Sequence, residues 1–375
     1  MFNIIFRIRN AFFRISYKYI LKPFFFMLDP ELVHDQMIVV GRILGTNPVT
    51  RLLTRFCFSS PKDVSIGQNI LGIKFENPIG LAGGFDKNAE LTNIIPEVDF
   101  GFMEVGSITG NSCLGNVRPR LWRLKKSKGL IVWYGLKNIG VNEILRKLSF
   151  KKFRIPLGTN IAMTNCQANQ DLEKAIQDYA KSFELLNTLG DYMTVNVSCP
   201  NAIGGQPFNE SSALDRLFNR LDQIETKKPI FIKISPDTSR VELDKILDVV
   251  AKHRINGFII GNLTKNRNNP KIVDKMPTEK GGISGKPVED LANDLISYVY
   301  KKVGEKYVIV GCGGVFNAED AYKKIRLGAS LVQMITGMIF GGPQTISEIN
   351  MGLTKLLKRD GFKNISEVVG IDVSA

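Results

Sequence analysis

The chain has 375 residues, of which 44% are hydrophobic and 23% are charged. This composition is that of a globular protein with a sizeable core, and it excludes a disordered chain, a collagen and a simple coiled coil. The formal net charge of +14 is typical of proteins that bind nucleic acid, an anionic membrane or an anionic small molecule. Because the sequence contains no zinc-finger spacing, RNP motif or basic heptad region, we expect no nucleic-acid partner.

The five cysteines are scattered along the chain without a CxxC pair. This distribution favours a reducing compartment and argues against both a disulfide framework and structural zinc. We therefore expect no bound metal.

The N-terminal segment carries a distinct charge pattern. Residues 1–28 contain five basic residues and no acidic residue, and Phe and Ile alternate with Arg and Lys at roughly helical spacing. This pattern predicts an amphipathic helix that lies in the headgroup plane of a membrane, and Pro23 is expected to break it. A second helix is predicted from Asp29. The alternative is that both helices simply pack on the main domain. The sequence contains no run of 18 uninterrupted apolar residues, so it predicts no transmembrane helix.

From about residue 64, short apolar runs alternate with amphipathic segments. Alternation of strand and helix over about 300 residues indicates a parallel sheet. Eight such units fit a (β/α)8 TIM barrel with an N-terminal helical extension better than they fit an open sheet. The predicted strands are 78–82, 102–106, 157–163, 192–197, 230–234, 257–261, 307–311 and 330–335.

Catalytic groups of such barrels lie at the carboxyl ends of the strands. Glycine, amide, lysine and hydroxyl groups follow the predicted strands here, which predicts an active site at that rim. The segments are AGGFDK (82–87), GSITG (106–110), NIAMTN (160–165), NVSCPN (196–201), KISPD (233–237), GNLT (261–264), GCGG (311–314) and MITG (334–337).

Two glycine-rich turns are predicted late in the chain, at 281–285 and 311–315. The loops after strands seven and eight form the usual phosphate site of these barrels, because glycine lets backbone N–H groups approach the ligand. Ser284 can add a hydroxyl group. Glycine alone does not indicate a phosphate site, because tight turns also use glycine. The phosphate site is therefore predicted from the position of the two segments in the barrel.

Lys233 ends the fifth predicted strand and is expected to point into the barrel mouth. A buried ammonium group needs a negative partner, and a reduced flavin, anionic at N1, is one candidate. A salt bridge with Asp237 is the alternative.

The segment NVSCPN offers the amides of Asn196 and Asn201, which can read the edge of a cyclic imide. Cys199 lies between them and could act as a base if cations or dipoles lower its pKa. Scattered cysteines are more often inert core residues.

Several segments together resemble dihydroorotate dehydrogenase, and the similarity runs from about residue 24 to residue 356. PFFFMLDPELVHDQM resembles the added helices of the membrane-associated, quinone-using class. The other segments are LAGGFDKNAE, EVGSITGNSCLGNVRPRLWRL, TVNVSCPN, GGISGKP, VGCGGV and GASLVQMITGMIF.

The resemblance implies an FMN-binding barrel that oxidises dihydroorotate to orotate in pyrimidine biosynthesis. A base removes a proton from C5, a hydride leaves C6 for FMN, and the electrons pass to quinone. The positions that match the family's FMN site are Ala82, Gly83, Gly84, Ser107, Asn160, Asn196, Lys233, Asn262, Ser284, Gly285, Gly313, Gly314, Met334, Ile335 and Thr336.

The resemblance also implies that Lys87, Asn196, Asn201 and Asn262 contact the substrate. Lys87 would lie near the substrate carboxylate. It assigns Cys199 as the catalytic base and Lys233 as a catalytic partner of the flavin. His34 and Arg123 match the polar groups of the quinone tunnel. The alternative is that His34 is a surface helix residue and that Arg123 forms an ordinary ion pair.

Four positions depart from the family pattern. Cys199 stands where the quinone-using class has Ser, and Val132 replaces an Asn that contacts substrate. Leu263 replaces a Thr, and Ile335 replaces a Tyr. A site built for a polar ring loses selectivity when its polar partners become apolar. The alternative function is therefore an FMN- and quinone-linked oxidoreductase that acts on a less polar cyclic substrate. A third hypothesis is a barrel without chemistry that binds a membrane or a partner protein.

The predicted domains are a membrane-associating, quinone-tunnel segment over residues 1–60 and an FMN-binding barrel over residues 61–375. The first segment carries +5 of the net charge. We expect a peripheral position on the cytoplasmic face of the inner cell membrane. The mitochondrial inner membrane is the alternative, because a basic, acid-free N-terminus is also typical of transit peptides.

Overall fold

The computed structural model describes residues 2–203 and 205–373, with side chains from residue 4 onward. Its strands alternate with helices through most of the chain. In chain order the strands are β1 (Gln68–Ile70), β2 (Ile73–Phe75), β3 (Ile79–Leu81), β4 (Phe102–Ile108), β5 (Leu121–Leu124), β6 (Gly129–Val132), β7 (Leu157–Ile161), β8 (Tyr192–Asn196), β9 (Ile230–Ile234), β10 (Gly257–Ile260), β11 (Gly282–Gly285), β12 (Val308–Cys312) and β13 (Leu331–Met334).

Four helices precede the first strand, and the others flank the sheet. The helices are α1 (Phe2–Ser16), α2 (Lys22–Met27), α3 (Pro30–Thr46), α4 (Pro48–Phe58), α5 (Val141–Leu148), α6 (Leu172–Leu186), α7 (Ser211–Asp222), α8 (Arg240–Val250), α9 (Glu289–Val303), α10 (Ala318–Arg326), α11 (Thr336–Gly341) and α12 (Thr345–Asp360).

Eight strands close into a parallel barrel in the order β3, β4, β7, β8, β9, β10, β12 and β13. These are the eight predicted strands, so the predicted TIM barrel with a helical N-terminal extension is confirmed. Four barrel strands consist entirely of buried residues over at least five positions, as expected where helices cover one face and the barrel interior covers the other.

The amino-terminal end of the barrel is filled with side chains. The β1–β2 hairpin places Phe75 against Phe102 on β4, with ring centroids 5.4 Å apart. Phe231 on β9 and Leu331 on β13 belong to the same buried cluster. Because this end is closed, a ligand can enter only from the carboxyl ends of the strands.

The N-terminal helices differ from the prediction at Pro23. Instead of breaking there, the helix continues from α1 through a π-helical turn over Tyr17–Leu21 into α2. A proline removes one backbone donor and crowds the preceding turn, and a widened turn accommodates both effects. The chain turns at Leu28, whose backbone is extended, and Asp29 then caps α3 by accepting a hydrogen bond from the Leu32 N–H at 2.8 Å.

Within residues 2–203 and 205–373, no helix combines the length and apolar character needed to cross a lipid bilayer.

A second sheet lies outside the barrel and was not predicted. Strands β5, β6 and β11 pair antiparallel in the order β11, β6, β5. The predicted glycine-rich turn at 281–285 is therefore wrong, because Gly282–Gly285 is an edge strand whose Ser284 pairs with Leu130 of β6. Glycine still has a role at the ends of this strand, where Gly281 and Gly285 have φ of 79° and 89°.

Candidate active site

A cavity opens at the carboxyl end of the barrel and contains about 940 Å³ of space free of protein atoms, including its mouth. This volume is within the range of cofactor and ligand sites. It lies between the barrel rim, the second sheet and α3. Residues of the predicted site line this cavity, and so do positions that depart from the family pattern. They are His34, Ala82, Gly83, Gly84, Lys87, Val132, Lys233, Asn262, Leu263, Ser284, Gly285, Gly313, Gly314, Met334, Ile335 and Thr336.

Six residues of the predicted site lie outside this lining. Ser107, Asn160 and Asn196 are buried beneath the floor of the cavity. Cys199 and Asn201 lie on the loop after β8, and Arg123 lies on β5. The structure thus brings most of the predicted residues together around one cavity and places these six in the surrounding layer.

A buried chain of hydrogen bonds supports the floor of the cavity. Asn160 donates to Glu104 at 3.0 Å and accepts a hydrogen bond from Ser107. Asn196 donates to Ser107 at 2.8 Å. Ser198 donates to Asn196 at 3.0 Å. Partners on β4 and on the loop after β8 therefore fix the orientation of both amides.

The loop after β3 approaches the interior closely at Gly83. A Cβ atom at Gly83 would lie 2.9 Å from Asn160 Nδ2 and 2.9 Å from Glu104 Oε2, so only glycine fits without displacement. Gly84 has φ of 109° and donates a backbone hydrogen bond to Gly106 at 2.7 Å. The segment Ala82–Gly84 thus presents bare backbone to the cavity, as a flat ring would require.

The opposite wall carries features suited to a phosphate. The hydroxyl groups of Ser284 and Thr336 lie 2.9 Å apart at the cavity wall. Gly313 and Gly314 have φ of 104° and 77°. A Cβ atom at Gly314 would lie 2.4 Å from Glu289 Cβ, so that position too requires glycine.

Lys233 is only 3% exposed and borders the cavity. Within residues 2–203 and 205–373, its ammonium group has no hydrogen-bond or ion-pair partner. The alternative salt bridge with Asp237 is absent from these residues, because Asp237 instead accepts hydrogen bonds from the Thr264 hydroxyl and the Lys265 N–H. An unpaired buried cation facing a cavity calls for an electron-rich ligand. Together with the glycine segments, this fits an anionic flavin.

Lys87 and His34 meet at the side of the cavity nearest α3. Lys87 Nζ lies 3.3 Å from His34 Nε2 and 4.0 Å from the centroid of the Tyr134 ring. Burial, with a smaller effect of Lys137, lowers the pKa of Lys87 to about 8. Burial and the neighbouring Lys87 and Lys137 hold the pKa of His34 well below its usual value. His34 is therefore neutral at pH 7, and Lys87 is the cation on this wall.

The loop that carries Cys199 is held by amide side chains. Asn116 donates to the backbone carbonyl of Asn201 at 3.1 Å, and Asn165 accepts from the Ile203 N–H at 2.7 Å. Burial raises the pKa of the Cys199 thiol to about 11. Lys233 and Lys265 lower this pKa, but burial outweighs them. The condition that cations or dipoles lower the pKa of Cys199 is therefore not met in the protein without ligand.

Several cavity residues were missed by the sequence analysis. Cys312 precedes the predicted glycine pair and belongs to the same inward-facing set of barrel residues as Val310, a signal that strand alternation could have supplied. Tyr134 lies two residues beyond Val132. The other missed residues are Leu121, Leu130, Val288 and Ile339, whereas Phe85, Val315 and Gly337 line the cavity from segments already predicted at the rim.

Comparison with known proteins decides the family. The family model described as dihydroorotate dehydrogenase matches residues 65–357, which include the whole barrel. The chain belongs to the dihydroorotate dehydrogenase family. Curated relatives extend the match to the N-terminal helices. A dihydroorotate dehydrogenase (quinone) of Trichodesmium erythraeum is 35% identical over 95% of this chain and 98% of its own length.

Other relatives in the dihydroorotate dehydrogenase family come from distant organisms. The enzyme named dihydroorotate dehydrogenase (quinone) of Natronomonas pharaonis is 36% identical and covers 94% of this chain and 99% of its own length. The mitochondrial protein of that name from Arabidopsis thaliana is 35% identical, and the match covers 94% of this chain and 81% of its own length. The ligand-free crystal structure from Eimeria tenella superimposes with a TM-score of 0.83 at 29% identity, and it covers 92% of this chain and 100% of that chain.

Proposed function

We propose that this chain oxidises dihydroorotate to orotate with FMN as its cofactor and passes the electrons to a quinone. The observation that carries the proposal is the unpaired Lys233 ammonium group, which faces a cavity walled by the glycine segments Ala82–Gly84 and Gly313–Gly314. Relatives named dihydroorotate dehydrogenase (quinone), aligned over nearly the whole chain, support the reaction.

The FMN site would comprise the cavity floor and the two glycine segments. The flavin would supply a two-electron acceptor for the substrate hydride and a donor to quinone. Lys233 would stabilise negative charge on the ring, since it has no competing partner within the described chain. The Ser284 and Thr336 hydroxyls would hold the phosphate.

The substrate would lie between Lys87 and the loop after β8. Lys87 would bind its carboxylate through the ammonium group. Asn196, Asn201 and Asn262 would contact the ring, and Asn201 has a buried Oδ1 without a hydrogen-bond partner in the described residues. Cys199 would remove the C5 proton. Because its pKa in the ligand-free protein is about 11, proton removal would require substrate contacts that stabilise the thiolate.

Quinone would approach along α3, where neutral His34 lines the cavity. Arg123 would shape the entrance, because its Nη1 donates to the Leu28 carbonyl at 2.7 Å and its guanidinium lies over the Phe26 ring at 4.7 Å. We further propose that residues 1–60 rest on the cytoplasmic face of the inner cell membrane. The mitochondrial inner membrane is the alternative location. Deletion of residues 1–22 should abolish vesicle binding.

Anaerobic reduction tests the proposed reaction directly. Purified protein should be yellow, dihydroorotate should bleach the flavin absorbance without oxygen, and a soluble quinone should restore it. Protein that contains FMN but does not bleach with dihydroorotate would refute the substrate assignment.

A second candidate substrate rests on the apolar wall. Val132, Leu263 and Ile335 all line the cavity, and the Asn201 amide donates to the Val132 carbonyl at 2.8 Å. A less polar cyclic amide or enone would suit this wall. A panel of such compounds in the bleaching assay separates the two candidates, and tight binding of orotate to the oxidised protein would count against the second.

A further inference from the structure

The continuous helix formed by α1 and the π-helical turn Tyr17–Leu21 has three distinct faces. One face contacts the barrel domain, because Asn10 donates to Ser347 of α12 at 2.9 Å and the Phe13 and Phe58 rings lie 5.0 Å apart. The opposite face is an apolar stripe whose members are each more than half exposed. The stripe consists of Ile4, Ile5, Ile8, Phe12, Ile15 and Tyr19.

A basic flank runs between these two faces. Arg7, Arg14 and Lys18 follow one another at helical spacing along one side of the apolar stripe. Arg14 is bound to Glu348 at 2.9 Å. Arg7 instead lines a groove between α1 and α12 that contains about 610 Å³ of space free of protein atoms. This groove shares no lining residue with the active-site cavity.

The groove has a strong positive charge. Lys62, Lys355 and Lys358 line it together with Arg7, whereas Asp63 is its one acidic lining residue. Lys358 lies 3.9 Å from Asp63, whose carboxylate also accepts two hydrogen bonds from Ser65.

Two of the groove's cations remain uncompensated. Lys62 is paired outside the groove with Glu76 at 2.7 Å. Within the part of the chain that the structure describes, Arg7 and Lys355 have no ion-pair or hydrogen-bond partner. The groove therefore has an excess of positive charge and several unused donors, and an anionic oxygen ligand would satisfy both.

We propose that this groove binds the phosphate of an anionic phospholipid headgroup. The inference rests on the proposed membrane association and adds a specific site to it. Arg7 lies one helical turn from Ile4 and adjacent to Ile8, so a phosphate in the groove would lie at the border of a stripe embedded among acyl chains. A free phosphate shares the same chemistry, but the adjoining apolar stripe favours a lipid.

Vesicle binding by the full-length holoenzyme tests the site. The double variant Lys355→Gln/Lys358→Gln should bind phosphatidylcholine vesicles as the wild type does. On vesicles that also contain phosphatidylglycerol, its partition coefficient should fall about tenfold or more. Turnover with dihydroorotate and a soluble quinone should not change, because neither lysine lines the active-site cavity.

The matched control removes the same charge elsewhere. The variant Lys18→Gln/Lys245→Gln takes one cation from the same basic flank of the N-terminal helix and one from α8, and it should lose much less affinity for phosphatidylglycerol. Equal losses in both double variants would mean diffuse attraction and overturn the site. Binding of neither vesicle by the wild type would refute membrane association itself. Binding of phosphatidylcholine alone would refute only the groove.

Inorganic phosphate separates the two sources of the ligand. Replacing chloride with phosphate at equal ionic strength should leave binding to phosphatidylglycerol vesicles unchanged. Complete loss of the phosphatidylglycerol preference would assign the groove to a free phosphate and overturn the lipid proposal.

Discussion

At the scale of single residues, the active site places charge where no protein partner neutralises it. Lys233 faces the cavity without a partner among the described residues. Lys87 contacts the neutral His34 and the Tyr134 ring, and it forms no ion pair within the described chain, although Asp35, Asp86 and Glu31 act on it from farther away. Cys199 differs from the two lysines because burial keeps its side chain in the neutral thiol form. Ligand binding would relieve the two lysines, because it supplies negative charge, whereas Cys199 would need polar contacts from the ligand that stabilise its thiolate.

The role of Cys199 gives a prediction on rate. Cys199→Ala should slow flavin reduction by dihydroorotate about a hundredfold to ten-thousandfold, because a general base is lost, while FMN remains bound. Cys199→Ser keeps a protonatable group and should retain more of the rate. Stopped-flow absorbance at saturating substrate measures both, and an unchanged rate in the alanine variant would exclude Cys199 as the base.

Lys87 gives a prediction on pH. With a pKa of about 8, its ammonium group is mostly charged at pH 7 and mostly neutral at pH 9. Affinity for the orotate carboxylate should therefore fall about tenfold between these values, since the charged fraction of the Lys87 side chain falls from about nine-tenths to about one-tenth. Flavin difference spectra measure the dissociation constant. Lys87→Met should bind weakly and lose this pH dependence, and a persistent dependence would assign it to another group.

At the scale of elements, loops attached to rigid strands position the chemistry. The loop after β8 carries Cys199, and it is held to neighbouring loops by Asn116 and Asn165 rather than by a strand pairing. Asn116 and Asn165 thus position Cys199 without touching the substrate. Loss of either side chain should change the rate of flavin reduction more than it changes the FMN content.

Asn165→Ala tests this positioning. The variant should lose the hydrogen bond to the Ile203 N–H, so flavin reduction should slow by about tenfold or more while FMN content stays the same. Hydrogen exchange of residues 198–203 should become faster, which a merely structural change elsewhere would not produce. Asn187→Ala, which removes an exposed hydrogen bond to Glu225, is the matched control and should leave both quantities unchanged.

The sequence revealed the barrel elements because each strand is a short apolar run bounded by glycine or polar residues. It did not reveal β5, β6 and β11, because β11 reads as a turn and pairs with a strand about 150 residues earlier, a partner that local pattern does not indicate. Most cavity residues were predicted through the family resemblance. The raised pKa of Cys199 could not be predicted from the sequence, because it depends on burial by residues distant along the chain.

At the scale of the whole molecule, a buried ion pair fastens the N-terminal helices to the barrel domain. Glu31 on α3 is 4% exposed and accepts hydrogen bonds from Arg120 Nε at 3.0 Å and Nη2 at 2.8 Å. Arg118 adds a third contact at 3.0 Å. Because Arg120 is itself 5% exposed, removal of the carboxylate would leave a buried charge without its anion.

Glu31→Gln should therefore destabilise the docking of α3 by about 3 kcal/mol. Quinone reduction should be lost at lower urea concentration than flavin reduction by dihydroorotate, because α3 borders the cavity while the barrel strands hold the flavin site. Glu143→Gln, which removes an exposed ion pair with Arg146, should change stability by less than about 0.5 kcal/mol. Simultaneous loss of both half-reactions in Glu31→Gln would contradict separate docking.

The β5–β6–β11 sheet constrains how the specificity of this enzyme can be altered by evolution or engineering. Loops of a TIM barrel can usually diverge one at a time. Here β6 contributes Val132 to the cavity, β11 contributes Ser284, and Arg123 on β5 contacts the turn between α2 and α3. A change that reshapes one strand is transmitted through shared hydrogen bonds to its neighbours. A chimaera that exchanges this specificity should therefore carry residues 118–134 and 281–286 from the same donor.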